Sequence, residues 1–234
     1  MDWENRMAVR PALIPLALAL FAAGCSDTHP TAVRQSLAQA PHFLRWAGSF
    51  PQQFSAASGG LPASGAGGLS LNLASGPGGL SLDKFTATFW AVRGQPRSAQ
   101  INYLSATGAT DAPFLQLTIS DPTYVPGLGA LAPGDSVLIT VTIDTVKIGV
   151  SLEPTGLLFG DPAQLQIWYG GAGGDLNGDG VVDQTDAQIE SQLLGLWYRE
   201  GAASQWTQIP ATQSLSDKSF ISGLQHFSEY AVSW

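Results

Sequence analysis

The sequence is poor in cysteine and in charged residues. Its 234 residues include one cysteine, and Asp, Glu, Lys and Arg together make up 12% of the chain. A single cysteine excludes an intramolecular disulfide framework and a metal site built on several thiolates. The chain has 10 Lys and Arg residues and 18 Asp and Glu residues, which gives a formal net charge of −8. This acidic composition lacks the basic footprint that nucleic acid requires, so we expect no nucleic-acid partner.

Long apolar runs are also missing. The longest apolar stretch, Ala12–Ala23, follows Arg10 and is too short to span a bilayer stably, so it predicts a signal-peptide core. The small residues directly before Cys25 resemble the cleavage site of bacterial lipoproteins. We therefore predict a lipoprotein signal peptide over residues 1–24 and lipidation of Cys25. The lipid would attach the protein to a membrane. Ser26 after the cysteine favours the outer membrane of the cell envelope, and the alternative is an ordinary secretory signal with a free cysteine.

Residues 25–82 are dominated by Gly, Ala and Ser, most strongly over Ser55–Leu69. Such a segment offers little apolar surface to offset the entropy of ordering the chain. We predict a flexible tether over 25–82, followed by one folded domain over 83–234.

From Asp83 onward the pattern is that of short β-strands separated by Gly and Pro turns. Ten strands at this spacing predict an all-β fold, an antiparallel β-sandwich. One short helix is predicted over Thr185–Leu193, within an insertion at 175–193. The predicted strands are Phe85–Val92, Ala99–Leu104, Phe114–Ser120, Ser136–Asp144, Lys147–Leu152, Ala163–Tyr169, Leu194–Arg199, Gln205–Ile209, Phe220–Ser222 and Tyr230–Trp234.

Within the insertion, residues 175–186 have the ligand spacing of an EF-hand calcium loop. Side-chain oxygens fall at loop positions 1, 3, 5, 9 and 12, Gly180 occupies position 6, and Val181 at position 7 offers its carbonyl. The predicted Ca²⁺ ligands are Asp175, Asn177, Asp179, Val181, Asp183 and Asp186. The alternative is a polar turn that binds no metal.

Asp at position 12, Asn at position 3 and the Val181–Val182 step resemble the calcium loop of a dockerin repeat. Dockerins bind cohesin through two such repeats, and this chain has one, over about 16 residues. The resemblance implies calcium binding and gives little support for cohesin as a partner.

A second resemblance covers roughly residues 135–234. Glu153–Tyr169 contains the pattern P-x-G-L-x-F-x-x-P-x-x-L, which is similar to a stretch of a β-sandwich module shared by ankyrins and netrin receptors, with bacterial relatives. Those modules mediate protein association and are not enzymes, so the resemblance implies a protein partner.

Aromatic residues suggest a competing function. Trp168–Tyr169 and Trp197–Tyr198 lie on predicted strands that flank the calcium loop, and adjacent strand residues point to opposite faces. One aromatic of each pair is thus a candidate for a sugar-binding platform, and the alternative is that these rings pack across strands. Trp90, Trp206 and Trp234 are predicted to lie in the core.

Gly134–Ser136 resembles the Gly-Asp-Ser block of a group of serine esterases. Those enzymes pair the serine with a late Asp-x-x-His, which this chain lacks, so a β-turn before a strand is the favoured interpretation. The sequence therefore favours a calcium-binding envelope lipoprotein with a structural or protein-interaction role and no catalytic activity. Carbohydrate binding is the alternative, and a hydrolase is the least favoured one.

Overall fold

The computed structural model describes residues 41–47, 52–53, 81–104 and 109–234. Within them a short α-helix, α1 (Gln184–Gln188), continues into a π-helical turn, Ile189–Leu193, and a 3₁₀ turn covers Gly170–Ala172. The strands are β1 (Gln52–Gln53), β2 (Ser81–Leu82), β3 (Thr86–Val92), β4 (Arg97–Leu104), β5 (Thr110–Ile119), β6 (Pro122–Val125), β7 (Gly129–Ala130), β8 (Ser136–Ile143), β9 (Gly149–Glu153), β10 (Leu158–Trp168), β11 (Gly195–Arg199), β12 (Thr207–Ile209), β13 (Thr212–Ser214), β14 (Ser219–His226) and β15 (Glu229–Ser233).

These strands form two sheets. One has the order β1-β2-β4-β5-β10-β14-β13, with β6 beside β10 and β7 beside β6, and the other has the order β12-β11-β15-β9-β8-β3. All pairs are antiparallel except the two-residue pair β1–β2. The all-β, antiparallel sandwich with one short helix is therefore confirmed.

The core lies between the sheets because successive strand residues point to opposite faces. In β8 every second side chain is buried, and in β10 the same alternation runs from Ala163 to Ile167. Buried residues of both sheets belong to a single hydrophobic cluster.

Each of the ten predicted strands overlaps an observed strand. The strands that the sequence did not predict are β1, β2, β6, β7 and β13, which have two to four residues each. Such short elements hold too few residues for alternation to be distinguished from chance, and β6 begins with a proline. The predicted helix at Thr185–Leu193 corresponds to α1 and the π-helical turn.

A segment of the predicted tether packs onto the sandwich. Phe43 forms a bridge with Ser233 and Arg45 forms one with Lys147, while Leu44 and Trp46 between them are buried. The backbone N–H of Leu44 donates to Val232, and its carbonyl accepts from Ile148. Residues 41–47 thus fill the gap between the start of β9 and the end of β15.

The remaining parts of the 25–82 range lie outside the described residues, except for β1 and β2, which pair with each other. Leu82 is fully buried, so the core includes residues before the predicted boundary at 83. The predicted signal peptide and Cys25 also lie outside the described residues. In the part of the chain that the structure describes, no helix has the length and apolarity needed to cross a membrane.

Candidate metal centre

The predicted calcium loop lies at one of the places where the chain passes from one sheet to the other. Strand β10 belongs to the nine-stranded sheet and ends at Trp168. Strand β11, which begins at Gly195, belongs to the six-stranded sheet. The 3₁₀ turn, the loop, α1 and the π-helical turn together make this connection, which we call the hand (residues 170–194). Its position means that any ion held there would act on the link between the two sheets.

The first half of the loop is organised around Asp175. Its Oδ1 accepts hydrogen bonds from the backbone N–H of Gly178 at 2.7 Å and of Asp179 at 3.1 Å, and its Oδ2 accepts from Gly180 at 2.8 Å. Gly180 has φ 88°, a left-handed conformation that favours glycine. The sharp turn predicted at loop position 6 is therefore present.

The middle of the loop is exposed. Asn177 Oδ1 accepts from the backbone N–H of Asp179 at 2.9 Å, and its Nδ2 donates to Asp179 Oδ2, also at 2.9 Å. Asp179 Oδ1 accepts from the backbone N–H of Val181 at 2.9 Å. The Val181 side chain is exposed, as expected for a residue whose predicted contribution is its carbonyl.

The last two predicted ligands also start the helix. Asp183 is the N-cap of α1: its Oδ1 accepts from Thr185 N–H at 2.7 Å, while its own N–H donates to Asp186 Oδ2 at 2.9 Å. The Asp183 side chain also accepts from the backbone N–H of Asp186, so Asp183 and Asp186 form a capping box with aspartate in the place of the usual glutamate. Helix capping therefore gives both carboxylates a role that needs no metal.

Asp186 is the buried carboxylate of the loop. Its Oδ1 accepts from the backbone N–H of Leu176 at 2.8 Å and of Asn177 at 3.2 Å, so it joins the two ends of the loop. The hydrogen bond from Asp183 N–H lowers the pKa of Asp186, burial opposes this, and the bonds from Leu176 and Asn177 lower it further. The net shift is downward, so the charged form is favoured.

The donor set has the chemistry that Ca²⁺ prefers, since every predicted ligand is an oxygen. An ionised carboxylate has about four lone-pair sites that can accept hydrogen bonds or bind a cation. Each carboxylate oxygen of Asp179 accepts one hydrogen bond. It therefore keeps acceptor capacity for a cation. Among the described residues, however, no three His, Cys, Asp or Glu side chains are grouped closely enough to hold a metal ion. The residues fit calcium by type and by loop order, and calcium binding stays a prediction.

The hand is packed firmly onto the sandwich. Leu176 in the loop and Ile189 after α1 are buried and belong to the main core cluster. Gln213 Nε2, on β13, donates to the carbonyl of Glu190 at 2.9 Å, and Lys218 Nζ lies 3.3 Å from Glu190 Oε1. The hand therefore contacts both the core and the β13–β14 edge.

The segment 41–47 contacts the hand on its other side. Ala47 N–H donates to the carbonyl of Gly171 at 2.9 Å, and the Trp46 indole donates to the Asp144 carbonyl at 3.0 Å. A Cβ on Gly171 would lie 2.9 Å from the Trp46 ring, so glycine is needed for this approach. Sequence reasoning missed this contact, although Leu44 and Trp46, two apolar residues at strand spacing, were a signal for it.

The two aromatic pairs predicted as a sugar platform lie on different sheets. Trp168 is on β10 and Trp197 is on β11, and both are partly buried. Tyr169 is buried, and its hydroxyl accepts from Gln213 Nε2 at 3.0 Å. The prediction that Trp90 lies in the core is wrong, because its side chain is 59% exposed on the outer face of β3. Trp206 and Trp234 are partly buried.

Ser136 lies in the setting that the turn interpretation predicted. Pro133–Gly134 form a turn, the Asp135 carboxylate accepts from Ala132 N–H at 2.7 Å, and Ser136 begins β8 opposite Val92. His226 is on β14, in the other sheet. The described residues thus place this serine and this histidine on different sheets.

Comparison of the chain with protein-family models, with curated proteins and with solved structures finds no match. The resemblances to a dockerin loop and to the ankyrin and netrin-receptor module therefore stay predictions from short motifs.

Proposed function

We propose that this chain is a calcium-binding lipoprotein of the cell envelope, attached to the membrane through lipidated Cys25. Its β-sandwich serves a structural or protein-interaction role and has no catalytic activity. The observation that carries the proposal is the position of the hand. A loop with five oxygen-bearing side chains at EF-hand spacing forms the connection between two sheets and is packed into their common core.

Calcium in this loop would offset a local concentration of negative charge. Asp175, Asp179, Asp183 and Asp186 lie within twelve residues, and their mutual repulsion opposes the compact loop. The backbone N–H groups that point at Asp175 and Asp186 already reduce that repulsion, which supports a loop that keeps its fold without the ion. We therefore expect modest affinity, with a Kd of about 10⁻⁴ to 10⁻³ M as in extracellular calcium modules.

The consequence for stability follows from linkage. An ion that binds the folded state alone raises the free energy of unfolding by about 2.7 kcal/mol at a hundred times its Kd. Because Leu176 and Ile189 belong to the main core, this increase is expected in the global transition and not only in the loop.

The test compares thermal unfolding in excess Ca²⁺ and in chelator for the wild type, Asp179→Ala and the control Asp161→Ala. Asp179 and Asp161 are both exposed, but Asp161 lies on β10, outside the loop. The wild type and Asp161→Ala should gain stability with Ca²⁺, and Asp179→Ala should lose that gain. An equal response of all three proteins would contradict the assignment of the loop.

A further inference from the structure

The edge strands of the two sheets are short, with one exception. Among the described residues, the edge strands β1, β7, β12 and β13 have two or three residues each, whereas β3 ends the six-stranded sheet with seven. Proteins keep other strands from pairing with a sheet edge by making the edge short or by placing proline or charged residues on it. Strand β3 (Thr86–Val92) has neither a proline nor a charged residue, and it pairs with β8 without a bulge. Within the described part of the chain, it is therefore a regular edge to which another strand can add.

Alternate residues of β3 direct their backbone groups away from the sheet. Before β3, the carbonyl of Phe85 accepts from Ile143 N–H at 3.0 Å, and after it Arg93 N–H donates to the Asp135 carbonyl at 2.9 Å. In an antiparallel pair, residues bonded to the neighbouring strand alternate with residues whose groups face the other way. The odd-numbered residues thus bond to β8, and β3 has no second neighbour among the described strands. The outward-facing residues are Thr86, Thr88, Trp90 and Val92, of which Val92 already accepts from Gln95 N–H at 3.0 Å.

A second copy of β3, running antiparallel, can bond to Thr86, Thr88 and Trp90 together in one register only. Thr88 then lies opposite Thr88 of the second copy, and Thr86 lies opposite its Trp90 on the outer face, which stays open to solvent. Each of these residues would exchange hydrogen bonds through both its N–H and its carbonyl. Since the same residues pair on both chains, this contact has the two-fold symmetry that is commonest in homo-oligomers.

The inner side chains fit each other in this register. Phe89 falls opposite Ala87 of the second copy and Phe85 falls opposite its Ala91, so each ring meets a small residue. Both phenylalanines are only partly buried against the core, whereas both alanines are buried. Pairing would therefore cover apolar surface that the single chain leaves exposed, which stabilises the contact.

Charges at the two ends of β3 are also compatible with this register. Asp83 precedes the strand and Arg93 follows it, so each would lie opposite the other across the contact. Arg93 also pairs with Asp121 of its own chain, at 3.0 Å between Nε and Oδ1. Lys84 would lie opposite Val92, and no two charges of the same sign face each other directly. Because like charges opposite each other destabilise a strand pair, this arrangement favours self-association.

We propose that β3 pairs antiparallel with β3 of a second copy of this chain. The two six-stranded sheets then form one continuous sheet, with the two-fold axis beside Thr88. The observations that carry this inference are the length of the edge, its lack of charge and the match of large to small side chains about one residue. The inference goes beyond the proposed function, because neither the calcium loop nor the lipid takes part in the contact.

The experiment measures the mass of the purified chain by sedimentation equilibrium in chelator, over a wide range of protein concentrations. The variants are Thr88→Lys and Thr88→Glu, each of which would place two like charges opposite each other at the two-fold axis, with about 5.5 Å between the Cα atoms. The matched control is Thr207→Lys, since Thr207 is also exposed and lies on β12, the edge at the other end of the same sheet. The two Thr88 variants are measured alone and as an equal mixture.

The wild type and Thr207→Lys should form dimers, and self-association should be at least about tenfold weaker in each Thr88 variant because of the opposed charges. The equal mixture should restore the dimer, because opposite charges then face each other, and this restoration also shows that both variants fold.

A wild type that stays monomeric would leave the β3 edge to a strand of a different protein and would overturn the inference. An unweakened dimer in either Thr88 variant, an equal weakening in Thr207→Lys, or a mixture that stays monomeric would overturn it as well. Dimers in chelator, with no heat when Ca²⁺ is added, would support this inference while contradicting the calcium proposal, so the two fail separately.

Discussion

Replacing Trp46 with alanine removes the largest side chain that the segment 41–47 contributes to the core. The indole is 6% exposed, packs at 5.0 Å between ring centroids against Phe114, and donates to the Asp144 carbonyl at 3.0 Å. Truncation of a buried aromatic costs about 3–5 kcal/mol, because the apolar contact is lost and a cavity is left. That loss is a large share of the roughly 5–15 kcal/mol that stabilises a typical domain.

The assay is urea and thermal unfolding of Trp46→Ala beside Trp90→Ala. Trp90 is the matched control because it is the same residue at 59% exposure, where a substitution typically changes stability by about 0.5 kcal/mol or less. For a domain of this size we expect Trp46→Ala to lower Tm by about 6–20 °C and Trp90→Ala to leave it nearly unchanged. Equal effects of the two substitutions would refute the assignment of residues 41–47 to the folded domain.

Three further predictions concern pH, the serine and the lipid. Burial raises the pKa of Asp144. The hydrogen bonds that its carboxylate accepts from the Lys147 side chain and from the backbone N–H groups of Val146 and Lys147, together with the positive charge of Lys147, lower this pKa by more. The net shift of the Asp144 pKa is therefore downward. The stability that this carboxylate contributes is then complete above its unfolded pKa of about 3.9 and is lost as pH falls through the lower folded value. Urea unfolding at several pH values should show a shallower acid loss in Asp144→Asn, and an unchanged slope would contradict the ion pair. Ser136→Ala should change the free energy of unfolding by less than about 1 kcal/mol and leave any ester hydrolysis at its original rate; loss of such hydrolysis would overturn the non-enzymatic role. Cys25→Ser should release the protein from the membrane fraction, since anchoring needs the acyl chains carried by that residue; retention in the membrane fraction would refute lipidation.

The sheets were predictable where apolar residues alternate over a long run. β8 follows this rule, with Val137, Ile139, Val141 and Ile143 buried. In β3 both faces carry an aromatic residue, Phe89 and Trp90, so alternation alone does not say which face is inward. The small residues Ala87 and Ala91 share the inner face with Phe89, and Trp90 is left outside. The inward face is set by contacts with the rest of the sandwich, and these contacts are not encoded in local spacing.

The candidate site was predictable in part. Ligand spacing located the loop and the position of its turn at Gly180, because these are local properties of the chain. The packing of segment 41–47 was not predictable, since it joins His42 to Trp234 at the other end of the sequence. The bridge between Phe43 and Ser233 and the backbone hydrogen bonds between His42 and Trp234 bring these residues together, and all of them are tertiary contacts.

The most direct test of the central claim is calorimetric titration of the purified chain with Ca²⁺. We expect one binding event per chain, with a Kd of about 10⁻⁴ to 10⁻³ M. Asp179→Ala should abolish or weaken it, and Asp161→Ala should retain it. No heat from the wild type, together with a Tm that is the same in Ca²⁺ and in chelator, would contradict both the site and its stabilising role.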